Sequence, residues 1–416
     1  MVQQYTPSQS LPKILSRLSV ALVLMGSIGG CAEPVPFKHN PVAVLPMGSL
    51  ERSWFVDLDL KKDPIVRLDV RDKLVYVYTT NKRVVAFDRK SGTLQMSMEV
   101  KSPNRYLLPL VELKDRIVFP NATSLEIFDN KGFFEKSIPL EAPLRSDVAG
   151  ENENVYFGSV GPRGGLVESY NVVRPYAPQE WEYLTRDGDA VTAGIVIYNG
   201  VIYSGSEGGE VDAVSVDRAQ IWDTDHGAFL AHGPITADLK VDETGLYIAS
   251  KDSNLYCVSR TTGRLKWQYF AGTPLTEAPV TTADMLYQYV PGQGLAAIDK
   301  VNGAFNRIPR WIHPTATQFL AEDDKYAYLA DPRTNADDPD HPAYAIIAVD
   351  KQTMKTAFES DHKDFSILGT NRKDAIIYAA FADGKLFAIK PVLKAGHIGE
   401  LVMAEVNAEC RMQNAE

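Results

Sequence analysis

The sequence predicts an all-β protein, an eight-bladed β-propeller of four-stranded antiparallel blades, and three observations carry that prediction. The first is a recurring turn grammar: "VVAFDRKSG" at 84–92, "LYCVSRTTG" at 255–263 and "LAAIDKVNG" at 295–303 repeat a strand, a polar tie and a closing glycine. The second is a row of aromatic anchors in the strand upstream of each turn: Tyr76, Phe119, Tyr156, Tyr203, Tyr247, Tyr287, Tyr328 and Tyr378. Their spacings of 37 to 50 residues match the roughly 40 to 50 residues that one blade occupies. The third is composition, since 29 Gly and 25 Pro with 45% hydrophobic residues suit many short strands and tight turns rather than long helices.

One repeat shows how each element follows from its residues. "ITADLKVD" reads as the inner strand, "GLYIASK" as the anchor strand, "NLYCVS" as a third strand, "RTTG" as the turn and "RLKWQYF" as the outer strand. Gly263 can take positive φ at the turn, and the hydroxyls of Ser259 and Thr262 can tie backbone amides. Ala86, Ala213, Cys257, Ala297, Ala348 and Ala388 share one place in the third strand, so a small side chain is expected where blades press together. Cys257 therefore reads as a buried structural thiol rather than a reactive one. Trp267 is expected to pack between blades, with Met96 and Arg307 in its place in two other copies and Met354 replacing the turn glycine in a third.

A single such sheet cannot bury both faces, so neighbours must stack and the ring must close. "RSWFVDLDL" resembles an outer strand without its three partners, and Trp54 to Asp59 are expected to pair with the last blade. "HIGELVMAEV" at 397–406 competes for that place.

The N-terminus has a different grammar. Lys13 and Arg17 precede the apolar run Leu18 to Ile28, which is short for a membrane-spanning helix and reads as an export signal. "IGGC" resembles the lipobox of bacterial lipoproteins, which implies cleavage before Cys31 and a lipid on its sulfur. Pro34, Pro36, Pro41 and Pro46 then favour an extended tether. The expected organisation is a signal peptide at 1–30, a lipid-anchored tether at 31–50, the propeller at 51–406 and a tail at 407–416. By the same resemblance, Ala32 lacks the aspartate that retains such proteins at the inner membrane, which implies an outer-membrane anchor facing the periplasm. Without residues 1–30 the chain keeps 41 basic against 53 acidic residues, about −12, a balance that weighs against nucleic-acid binding.

The repeats resemble the PQQ-type propeller repeat, with "LYCVSRTTGRLKW" the best copy and the others degenerate. That resemblance points to two families of different class. Quinoprotein dehydrogenases are enzymes that set an adjacent cysteine pair over their quinone, and no such pair stands among Cys31, Cys257 and Cys410. The BamB-type outer-membrane assembly lipoproteins are non-catalytic scaffolds. The favoured expectation is a scaffold without a cofactor that binds an envelope protein, an integral outer-membrane protein above all. A degenerate PQQ-dependent enzyme and a surface sensor or polysaccharide-binding lipoprotein remain as alternatives.

Candidate ligand sets are weaker. Asp331, Asp337, Asp338 and Asp340 with His341 lack the glycine and closing glutamate of a calcium loop, and read as a solvated insertion. Asp223, Asp225, His226 and His232 read as polar residues of a connection between two blades rather than a metal set. A Cys257 to Cys410 disulfide is not expected. The long insertions "GSVGPRGGLVE" and "DPRTNADDPDHPAY" both join a second strand to a third, so Arg163, Asp337, Asp338 and Asp340 are the candidate contact residues on one face of the ring.

Overall fold

A computed structural model describes residues 46–391 apart from 48–49, 61–62, 103–106, 223–228, 304–308, 334–342, 361–364, 372–373 and 382–383. The described residues form eight antiparallel sheets, one per predicted repeat. Blade 1 covers 65–99, blade 2 111–139, blade 3 149–184, blade 4 196–230, blade 5 240–270, blade 6 280–313 and blade 7 318–359. Blade 8 joins Ile367–Gly369, Ile377–Ala380 and Lys385–Pro391 to Leu50–Asp57 from the other end of the propeller. Closure thus pairs the first long strand with the last, Trp54 opposite Ala388 and Asp57 opposite Lys385. The pairing stops at Asp57, short of the expected Asp59, where the Leu58 amide turns to the Gly384 carbonyl at 3.1 Å. The competing segment 397–406, Cys31 and Cys410 lie outside the described residues.

The register explains the aromatic anchors. Tyr76, Tyr203, Tyr247, Tyr287, Tyr328 and Tyr378 stand directly opposite Ala86, Ala213, Cys257, Ala297, Ala348 and Ala388. The small residue lets a tryptophan from the fourth strand, or in blade 4 from the segment just before it, reach the anchor. Tyr378 meets Trp54, Tyr156 meets Trp181, Tyr203 meets Trp222, Tyr247 meets Trp267 and Tyr287 meets Trp311, with centroids 5.7 to 6.1 Å apart. All five tryptophans of the chain serve this one purpose. Such ring pairs add about 0.5–1.5 kcal/mol each beyond the area they bury.

Two copies correct the sequence reading. In blade 6, Trp311 rather than Arg307 lies opposite Ala297, because the insertion after Gly303 delays the fourth strand to Trp311–His313. In blade 2, Glu126 lies opposite Phe119 and is buried, accepting from the hydroxyls of Ser124 at 3.1 Å and Ser137 at 2.8 Å.

Neighbouring blades are locked through the same tryptophans. The Trp54, Trp222 and Trp267 indoles donate to the carbonyls of Arg89, Arg260 and Lys300 in the next blade at 2.9, 3.0 and 3.2 Å. Each lies against that blade's turn glycine: a Cβ on Gly92, Gly263 or Gly303 would come within 2.8 Å of the ring. All three glycines have φ near +70°, where a side chain is disfavoured. The core is accordingly divided into eight apolar clusters, one at each seam between blades.

Candidate functional surfaces

Three places collect polar chemistry in this frame. The first is the axial channel, a cavity of about 1040 Å³ walled by the inner strands. Arg67 and Asp69 alternate along the blade 1 strand and Arg71 follows directly after its end, and all three line the channel wall. Asp69 accepts from Arg67 Nε at 3.2 Å and from the Tyr78 hydroxyl at 2.8 Å. Across the channel, Asp147 and Asp238 flank Gly194, whose amide donates to Asp238 at 3.1 Å. Burial, reinforced by the Asp238 charge, holds the Asp147 carboxyl above its ordinary range. The sequence reading passed over these charges, although the period-two pattern Arg67, Asp69, Arg71, running along an inner strand and just past its end, was their signal.

The second place holds Arg163. It sits at the exposed tip of the hairpin joining Asn154–Gly161 to Gly164–Asn171 and pairs with Glu182 of the same blade. The hairpin presses on the connection to blade 4, where Gly165 leaves no room for a Cβ against the Asp189 carbonyl. Beneath lies a group of carboxylates on the seam between blades 3 and 4. The Asp187 amide donates to Glu210 at 2.7 Å, the Ser206 hydroxyl donates to Asp187, and the Tyr183 hydroxyl donates to Asp212 at 3.3 Å. Asp212 is only 2% exposed. Burial first, and the Glu210 charge second, push its carboxyl up to about 7.

The third lies at the base of the other long insertion. Asp331 is buried and accepts from Arg333 at 2.7 Å, and the same Arg333 nitrogen reaches Glu359 at 2.7 Å. The inserted residues Asp337, Asp338, Asp340 and His341 lie outside the described residues. Its flanking strands, Tyr326–Arg333 and Ala343–Asp350, are the second and third of blade 7. The strand ends that flank it, Arg333 and Ala343, therefore lie on the same end of the ring as the Arg163 hairpin.

The other proposed cluster does not form a site among the described residues. Asp223, Asp225 and His226 lie outside them, and the strands on either side, Glu210–Ser215 and Phe229–Leu230, belong to one blade rather than two. His232 is placed in the connection to blade 5, its amide donating to Asp252 at 2.9 Å. No group of three or more His, Cys, Asp or Glu among the described residues is placed to hold a metal ion.

With this geometry in view, the comparisons with known proteins are specific. A family model described as the outer membrane protein assembly factor BamB matches residues 207–392, from the turn after the second strand of blade 4 through the last strand of blade 8. The BamB crystal structure from Moraxella catarrhalis superposes with a TM-score of 0.60 at 15% identity, covering 84% of this chain and 99% of that one. The chain is a PQQ-type β-propeller resembling BamB. The computationally designed Ika8 protein has a TM-score of 0.58 at 12% identity, over 79% of this chain and 96% of its own. Identities this low establish the shared propeller alone. No match was found among curated protein sequences.

Proposed function

We propose that this chain is a non-catalytic, lipid-anchored scaffold of the cell envelope that holds an integral outer-membrane protein during outer-membrane protein assembly. The observation that carries the reading is the match of residues 207–392 to the family model described by that role. The propeller likeness to BamB supports it. The anchor is Cys31, which follows Ile28, Gly29 and Gly30 in lipobox order, and Ala32 favours the outer membrane, with the propeller facing the periplasm. Two acyl chains suffice for stable attachment, and the Pro-rich tether gives the propeller reach. Contacts come from the end of the ring that carries Arg163 and the insertion with Asp337, Asp338 and Asp340. Loops there are free to vary while the strands are committed to packing between blades. The reading needs no cofactor and no nucleic acid.

Cys31→Ser should move the protein from the membrane to the soluble fraction with its β-type circular dichroism unchanged. Affinity capture of the lipidated protein should enrich one integral outer-membrane protein, and Asp337→Lys with Asp338→Lys should weaken that capture. Stoichiometric PQQ binding with substrate-dependent electron transfer would sink the scaffold reading.

A further inference from the structure

On the opposite end of the ring, blades 2, 3 and 4 enclose a groove of about 790 Å³, a size typical of small-molecule sites. It exists because two turns depart from the repeat. The third-to-fourth connection of blade 3 is long, running from Asn171 to Gln179, and the equivalent turn of blade 4, Ser215 to Ala219, carries no glycine to cover the indole of Trp181. Trp181 still donates to the Val216 carbonyl at 3.1 Å, but its ring stays half-buried, whereas Trp222 at the next seam is 1% exposed. The groove thus has an aromatic wall.

Its floor is a chain of planar polar side chains held in fixed orientation. Asn171 Nδ2 donates to Asn154 Oδ1 at 2.8 Å, Asn154 Nδ2 donates to Glu180 Oε2 at 3.0 Å, and Arg174 Nη2 pairs with Glu180 Oε1 at 2.9 Å. Asn171 is itself fixed by accepting the amides of Val173 and Arg174 at 3.0 Å. The Asn171 amide nitrogen keeps a second hydrogen, while that of Asn154 is taken by the Tyr156 hydroxyl; Glu180 and Asn154 Oδ1 keep lone pairs, so the network still has a spare donor and spare acceptors side by side. Polar residues make up eleven of the seventeen that line the groove, which disfavours an apolar ligand. Five carboxylates against three cations among them disfavour an anion such as a phosphate or a nucleic acid.

From this pairing we propose that the groove binds a neutral oligosaccharide. The hydroxyls of such a chain both donate and accept, as the spare capacity of the floor requires, and the C–H face of a sugar ring packs against an indole. Tyr176, 85% exposed in the same blade 3 connection as Arg174, offers a second ring at the surface.

The test uses the full chain in detergent with three neutral probes, N-acetylchitotetraose, cellotetraose and maltotetraose, and with heparin as the anionic control. Saturable binding of a neutral probe is expected by calorimetry, with saturation transfer from the protein to the sugar protons. Asn154→Ala should weaken it about tenfold or more, the size expected when a hydrogen-bond partner is lost. Arg174 is 57% exposed, so Arg174→Ala provides a second variant that leaves the fold intact; it should weaken the sugar severalfold while leaving capture of the outer-membrane partner unchanged. Absence of binding for all three probes at millimolar concentration overturns the proposal. So does binding untouched by both variants, or a preference for heparin.

Discussion

The seam between blades 5 and 6 and the seam between blades 3 and 4 are built on the same plan and filled differently. In both, a tryptophan of one blade donates to a carbonyl in the turn of the next, Trp267 to Lys300 and Trp181 to Val216. The first seam then buries twelve apolar side chains, and the second buries five. Blade 6 places Ala296 on its seam where blade 4, by the register of Tyr287 with Ala297 and Tyr203 with Ala213, places Asp212. The lesson is that the tryptophan and its carbonyl set the blade spacing, while the rest of the seam is free to exchange apolar burial for polar groups. The two candidate surfaces with most chemistry, the carboxylate group and the groove, both lie beside the polar seam.

The largest expected effect comes from filling the space that the apolar seam reserves for a ring. Gly303→Val places a branched side chain at φ +70°, with its Cβ 2.7 Å from the Trp267 ring. Left-handed strain of about 1–2 kcal/mol adds to about 1–3 kcal/mol of overpacking. The loss should therefore be about 2–5 kcal/mol by denaturant unfolding. Ala219, in the turn that faces Trp181, is exposed, so Ala219→Val should stay within about 0.5 kcal/mol. Equal losses at the two sites would break the distinction between the seams.

The polar seam should show itself in pH dependence. Folding raises the Asp212 pKa from 3.8 to about 7, so between those values the folded chain holds a proton that the unfolded chain has released. Its contribution is fully present below about pH 4 and is lost as pH rises to 7. Asp212→Asn keeps an acceptor for the Tyr183 hydroxyl and removes the titration. The variant should be the more stable form at pH 8, by about 2–4 kcal/mol at three units of 1.36 kcal/mol each. It should also show a shallower decline from pH 4 to 7, the remaining slope belonging to Glu210, Asp147 and Glu168, whose pKa values burial also raises. A parent protein with flat stability across that window would contradict the seam as described.

Most of the ring was legible because its determinants are local and repeated. The anchors, the small partners and the turn glycines each recur in the sequence, and Cys257 is found where the repeat places it, fully buried, with burial pushing its thiol up to about 12. What escaped was whatever an insertion displaced or a neighbouring blade supplied. Trp311 was hidden by the residues inserted after Gly303. Asn154, Asn171 and Glu180 come from three strands of blade 3 and look like ordinary turn and edge residues until folding brings them into one network. The partly buried carboxylate Asp147 was equally silent, since its environment is set by Asp238 two blades away.

The smallest expected effect tests whether the turn glycine matters for its backbone or for its ring contact. Blade 7 keeps the turn geometry with methionine in the glycine's place. The Met354 amide donates to the Asp350 carbonyl at 2.7 Å, as the Gly303 amide donates to Asp299 at 2.9 Å. Asp350 Oδ1 accepts the amides of Gln352 and Thr353 at 2.9 and 2.8 Å, as Asp299 accepts those of Val301 and Asn302 at 3.0 and 2.7 Å. Met354 therefore holds φ at +61°, at a cost of about 1–2 kcal/mol for a side chain in the left-handed region. Glycine relieves that strain but gives back about 0.4–1 kcal/mol through the greater freedom of the unfolded chain. Because Met354 is 45% exposed, little burial is lost. Met354→Gly should thus raise stability by about 0.5–1 kcal/mol, read as a higher denaturant midpoint at unchanged slope. A lower midpoint would mean that the methionine side chain supports the seam, and that the glycines elsewhere are kept for ring contact rather than for the backbone.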